Sequence, residues 1–258
     1  MLNSVIKEIN KKYSNDSVRE RLCIAAVVCE RMKEFANEVV MVGGSAVEFY
    51  TAASYMTKDI DFIAKDTVNI KRVMTELGFK NDGDGIWYHD DTSVIIEFPK
   101  GPLVGEYSRK TCLETGYGIV EIIGVEDIIL DRVSAAKFWQ DTTEWAEYLL
   151  SSHYENVDFE YLREQAKELL CADTLELIIK NVDEFRDNPV LQESNEYSKT
   201  ELVEIIKKLL RDDNDVEQIQ RILSMNNKVA GNTPLERGVL LKELLESEEI
   251  KNFILTLN

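Results

Sequence analysis

The chain has 258 residues, 48 acidic and 30 basic, for a formal net charge of −18 at pH 7. That excess disfavours coating an extended duplex DNA surface, because such affinity comes mostly from cations that neutralise phosphates. A hydrophobic share of 44% is enough for one large core or two modest ones, and only 4 Pro and 12 Gly point to long helices over a turn-rich β architecture. No apolar run approaches the roughly 18 residues of a membrane span, and the opening MLNSVIKEINKK lacks an apolar signal region. A cytoplasmic protein with no membrane partner is expected.

Asn15, Asp16 and Ser17 offer caps for a helix over 17–36, in which Leu22, Ala25, Ala26, Cys29 and Met32 recur at helical spacing. Cys23 and Cys29 lie six residues apart on that helix, roughly 120° apart around its axis, so no bond between them is expected. With Cys112 and Cys171 they form no CxxC pair and have no His close by. Four free thiols in a reducing compartment are therefore expected, and no zinc site.

Val39–Val42 reads as a buried strand ending at Gly43-Gly44-Ser45, with a helix from 46 to about 53. A second strand is expected over 60–64, then a helix over 68–77 closed by Gly78. The NDGDG turn at 81–85 introduces strands at 86–89 and 93–98 as a hairpin, and 118–123 reads as a further strand. After Gly124 the pattern becomes helical throughout, with amphipathic segments over 125–137, 143–150, 159–170, 174–185, 200–210, 216–225 and 235–245. The expected fold class is α/β (α+β): a mixed-sheet domain over 1–150, then an α-helical domain over 151–258.

In Lys58-Asp59-Ile60-Asp61-Phe62 the two aspartates stand at i and i+2, so a strand presents both on one face while Ile60 and Phe62 enter the core. Glu97 is likewise a single carboxylate within the apolar run Ile95-Ile96-Glu97-Phe98. Burying an isolated carboxylate costs several kcal/mol unless something compensates it. Three carboxylates brought together repel one another, and a divalent cation relieves that. Mg²⁺ suits them, since it takes oxygen ligands and is often completed by substrate phosphates. Gly43-Gly44-Ser45, between a strand and a helix, offers free backbone N–H groups where phosphate is attracted. By itself the segment is neither a Walker A loop nor GxGxxG.

Val42-Gly43-Gly44-Ser45, Asp59-Ile60-Asp61 and Glu97, in that order, resemble the nucleotidyltransferase superfamily related to DNA polymerase β. The Gly44–Asp59 interval is slightly long for that superfamily, which implies an extra half-turn or loop around Tyr55. Thr57-Lys58-Asp59-Ile60-Asp61-Phe62 looks like the bacterial AbiEii-type and related small proteins, several of them toxins of toxin–antitoxin pairs. A later helix bearing Asp131, Arg132, Ala135, Trp139 and Asp141 is similar to one in uncharacterised relatives. The resemblance covers about residues 38–150.

It implies a polymerase-β-like core moving an NMP from an NTP to a hydroxyl acceptor with two Mg²⁺ ions. One ion would sit on Asp59 and Asp61 with the β- and γ-phosphates. The second, shared with Glu97, would lower the pKa of the acceptor hydroxyl and stabilise in-line attack on the α-phosphate. Glu97 is alternatively a general base. Gly43, Gly44 and Ser45 would cradle the departing pyrophosphate, with Lys58, Arg132 and Lys137 as further nucleotide-binding residues. The acceptor is left open between an RNA end, a protein and a small molecule. The rival expectation is a catalytically silent module of the same fold that binds a nucleotide or a protein partner such as an antitoxin.

Taken singly, other residues read as structural. Arg109-Lys110 is expected in a solvated loop, with a loop reaching nucleotide or RNA as the alternative, His89 at a hairpin turn, His153 near the domain boundary, and Trp139 and Trp145 as packing residues of the helical half. Asp212-Asp213-Asn214-Asp215 lacks the EF-hand glycine and closing glutamate and reads as a helix N-cap region.

Overall fold

A computed structural model describes residues 3–187 apart from 52, 53, 82 and 84. The expected helices over 200–210, 216–225 and 235–245, and the Asp212–Asp215 segment, lie outside the described residues. In chain order the elements are α1 (Asn3–Lys12), α2 (Ser17–Lys33), β1 (Val39–Val42), α3 (Gly43–Tyr50), β2 (Asp59–Ala64), α4 (Ile70–Glu76), β3 (Lys80–Asn81), β4 (Ile86–His89), β5 (Thr92–Glu97), β6 (Thr111–Thr115), β7 (Gly118–Ile122), α5 (Val125–Trp139), α6 (Glu144–His153), α7 (Phe159–Glu168) and α8 (Ala172–Arg186). Short 3₁₀ turns occupy Tyr107–Arg109 and Tyr154–Asn156. The protein is mixed α/β, and no helix among the described residues is long and apolar enough to cross a membrane.

The chain divides into two compact units, residues 1–128 and 129–258, with the division inside α5. The boundary expected near 150 falls within α6. In the first unit seven strands form one mixed sheet in the order β3-β4-β5-β2-β1-β7-β6. β1 pairs antiparallel with β2 and parallel with β7, and β2 pairs parallel with β5. β1, Val-Val-Met-Val, is buried at all four residues, as a central strand covered on both faces must be. α2 packs along β7 and carries α1 and α4 on its flank. The Asp16 carboxylate caps α2 by accepting from the Arg19 N–H at 2.9 Å. Ile24, Val28, Met32, Met41, Ile60, Phe62, Ile96 and Ile122 make the centre of this core.

The second unit is helical over its described part. α8 packs on α6 and α7 through Leu149, Leu162, Leu175, Ile178 and Val182. Trp139 departs from expectation. It is 82% exposed at the end of α5 and is not a packing residue. Trp145 does pack, its ring 5.7 Å from that of Tyr148.

Three elements were not expected: α1, β3 and β6. Helix α3 also begins at Gly43 itself and not at Ala46, since Gly43 takes φ +60° and turns the strand directly into the helix. Between α3 and β2 the Tyr55 N–H donates to Thr51 Oγ1 at 3.2 Å. All four cysteines are free; Cys23, Cys29 and Cys171 are buried and Cys112 is exposed.

Candidate functional site

The sheet register places the acidic residues. On β2, Asp59 and Asp61 are half-buried while Ile60 and Phe62 are fully buried, so the two aspartates share the open face. β5 lies parallel beside it with Asp59 opposite Ile95 and Asp61 opposite Glu97. Opposed residues of neighbouring strands point to the same side, so Asp59, Asp61 and Glu97 occupy one face. On the other side of β2, Val42 of β1 stands opposite Asp61, and Gly43 follows it immediately. The glycine turn therefore meets the acidic row at Asp61.

Local contacts fix two of the carboxylates. A β-carbon at Gly43 would overlap the Asp61 carboxylate, so Asp61 lies directly against the Gly43 backbone at the head of α3. The N-cap residue of that helix, Val42, supplies no side-chain cap, and an anion at this end complements the helix dipole. Thr57 Oγ1 donates to Asp59 Oδ1. Ser45, only 4% exposed, donates from Oγ to the Asp59 carbonyl at 2.6 Å. Gly44 is closely covered as well: a β-carbon there would lie 3.2 Å from both Thr57 Oγ1 and Tyr55 Cε1. Ser45 thus spends its hydroxyl on the strand. Glu97 is half-buried. Lys58 is exposed at the entry to β2.

Among the described residues, no three His, Cys, Asp or Glu side chains are arranged to hold a metal ion. The donor set nonetheless has the chemistry Mg²⁺ takes, all carboxylate oxygens. Paired strands lie about 4.8 Å apart and alternate residues on a strand about 6.6 Å, so the three carboxylates are neighbours on one face without forming a ligand cluster.

Arg132 and Lys137 belong to the second unit. There the Arg132 Nε donates to Asp131 at 3.0 Å, and Lys137 is ion-paired with Asp173. Arg109 and Lys110 are not solvated loop residues. Arg109 is 3.1 Å from the buried Glu126, and Lys110 bridges Glu121 at 2.6 Å and Glu38 at 3.2 Å. These carboxylates secure the segment before β6 to α5 and the sheet. His89 is buried on β4, its Nδ1 accepting the Asp91 N–H at 3.0 Å and its ring edge-on to Phe79. A groove of about 700 Å³ in the second unit is lined by residues of α7 and α8 whose charges pair with each other, as Arg163 does with Glu176 and Lys180 with Glu184. Thr57 was missed as a site residue; its signal was a hydroxyl two positions before an aspartate, a spacing that favours local side-chain hydrogen bonds.

No protein-family model, curated protein or solved structure matches the chain significantly.

Proposed function

We propose that the chain is a metal-dependent nucleotidyltransferase that moves an NMP from an NTP to a hydroxyl acceptor. The observation that carries this reading is the register of β2 against β5, with Asp59 and Asp61 on one face and Glu97 opposite Asp61, beside the Gly43 turn. Asp59, Asp61 and Glu97 would hold Mg²⁺, which supplies charge stabilisation at the phosphates. Thr57 and Ser45 keep Asp59 in place, and Gly43 lets Asp61 approach the head of α3. The N–H groups of that first turn orient the phosphates, and exposed Lys58 adds a cation at the edge of the site. In the alternative to its metal-ligand role, Glu97 would take the acceptor proton. The acceptor on this reading is an RNA end, a protein or a small hydroxylated molecule. A role as the toxin of a toxin–antitoxin pair is one physiological setting for it.

The second reading, a silent module of this fold, draws support from two contacts. Thr57 occupies one oxygen of Asp59, and Asp61 packs against backbone. Incubation with α-phosphate-labelled NTPs, Mg²⁺ and total cellular RNA or protein separates the two. Label transfer by the wild type and its loss in Asp61→Ala is the expected result. Binding of Mg·NTP without transfer would favour the module, and neither binding nor transfer would refute the nucleotidyltransferase reading.

A further inference from the structure

The row of residues through the acidic face continues beyond β5. Ile86 of β4 stands opposite Glu97, so Ile86, Glu97 and Asp61 form one line across three strands. Tyr88, two residues on, shares the face of Ile86, while Trp87 and His89 between and beyond them are buried on the other side. Ile95, opposite Asp59, completes a shelf of Ile86, Tyr88 and Ile95 next to the carboxylates. Tyr88 is 43% exposed, unusual for an aromatic ring in the interior of a sheet. Register slips between Trp87 and His89, an irregularity that bends a strand and re-aims its side chains.

We infer that Tyr88 is the residue on which the base of the incoming NTP stacks, an inference that rests on the nucleotidyltransferase reading above. Distance and charge both favour this occupant. β4 is two strand spacings from β2, about 10 Å, a span that a ribose and base can cover from an α-phosphate beside the carboxylate row. The carboxylate row selects the metal-bound triphosphate end. The side chains of the neighbouring shelf, two isoleucines and a tyrosine, are uncharged, and Lys80 of β3, opposite Tyr88 at its far side, is ion-paired with Asp90, so the shelf suits the uncharged planar end of the same molecule. Stacking on an aromatic face tolerates every base but is stronger for the larger purines. The site should therefore prefer purine triphosphates without reading a base edge.

Calorimetric titration of the full chain with Mg²⁺ complexes of ATP, GTP, CTP, UTP and inorganic tripolyphosphate tests this. In the wild type, ATP and GTP should bind more tightly than CTP and UTP. Tyr88→Ala should weaken ATP about tenfold, within the range of a lost base–aromatic stack, narrow the purine–pyrimidine difference and leave tripolyphosphate unchanged. Tyr88→Phe should behave as wild type, since the ring and not the hydroxyl carries the contact. Equal ATP affinity in wild type and Tyr88→Ala, with Asp61→Ala still weakening both ATP and tripolyphosphate, would overturn the role of Tyr88 alone. A parallel loss of ATP and tripolyphosphate in Tyr88→Ala would also overturn it, because the residue would then act on the phosphate end. A wild type that binds none of these ligands would overturn the function itself and the stacking role with it.

Discussion

Gly43→Ala is the substitution most sharply distinguished by the geometry. Gly43 has φ +60°, and a β-carbon there would overlap the Asp61 carboxylate. The left-handed backbone costs an alanine about 1–2 kcal/mol. Displacing Asp61 from its rotamer adds about 0.5–1.5 kcal/mol, and moving its charge from the head of α3 about 0.3–1 kcal/mol. Together these predict a loss of about 2–4 kcal/mol. Gly44→Ala provides the control. Its β-carbon would meet side-chain atoms of Thr57 and Tyr55 at 3.2 Å, a contact a small shift can relieve. Alanine also exceeds glycine in helix propensity by about 1 kcal/mol, so the net change should stay within about 1 kcal/mol. Native-state hydrogen exchange followed on peptides of β1 and β2 reads the first unit directly. Protection there should fall roughly 30- to 1,000-fold in Gly43→Ala and less than about fivefold in Gly44→Ala. Adding Asp61→Gly to Gly43→Ala should leave only the backbone cost, so the two substitutions should couple by about 1 kcal/mol. Equal effects at the two glycines, or strict additivity in the double variant, would refute the reasoning.

Arg21 of α2 and Glu48 of α3 form a buried pair, with Arg21 Nε 3.0 Å from Glu48 Oε2 and the guanidinium Nη2 2.6 Å from Oε1. Glu48→Ala, leaving the cation buried alone, should cost about 3–5 kcal/mol in chemical denaturation, and Arg21→Met combined with Glu48→Leu should recover most of it. The Tyr50 hydroxyl lies 2.7 Å from both Thr111 Oγ1 and the Ile123 carbonyl, and burial, reinforced by Glu126 and Asp127, pushes its pKa up to about 12. Because the folded value lies above the unfolded one near 10, Tyr50 stabilises the fold fully below pH 10, and that contribution is lost as pH rises through about 12. The urea midpoint should thus fall more between pH 9.5 and 11.5 in the wild type than in Tyr50→Phe. Parallel curves would exclude the linkage. Burial raises the Cys29 thiol to about 12 and also raises Cys23 and Cys171, whereas Cys112 is exposed. A disulfide reagent at pH 8 should therefore modify one thiol rapidly, and Cys112→Ser should abolish that phase; a second fast thiol would contradict the burial.

What the sequence made legible was what short-range pattern can carry. The all-apolar Val39–Val42 run predicts a buried strand, and the alternation in Asp59-Ile60-Asp61-Phe62 predicts which face holds the carboxylates; both are found. The opposition of Asp61 to Glu97 was not legible, because strand partnership is set by the whole sheet and not by the residues that pair. β6 escaped notice because Thr111-Cys112-Leu113-Glu114-Thr115 is a half-exposed edge strand without a buried apolar stripe. α1 buries Ile6 and Ile9 within a polar ten-residue segment, too short a repeat to read. Gly43-Gly44 read as a turn preceding a helix, although glycine's positive φ allows the helix to start there at once. Arg109-Lys110 looked like a loop because its partners, Glu38, Glu121 and Glu126, lie outside the local sequence and only the fold brings them close.

The net charge of −18 acquires a position once the face is built. Asp59, Asp61 and Glu97 gather negative charge on one face beside Ile86, Ile95 and Tyr88, all within residues 59–97, and the glycine turn and its supporting hydroxyls add only residues 43–57. A polyanion approaching this face without a cation meets repulsion, which falls off over roughly 10 Å at ordinary ionic strength. On the nucleotidyltransferase reading, a metal-bound triphosphate would reverse the field where it binds. An acceptor that presents a single hydroxyl at that point therefore fits the charge pattern better than one that lays a long phosphate backbone across it. On the nucleotidyltransferase reading, an RNA would enter by its end, and a protein acceptor would profit from a basic surface around the modified side chain.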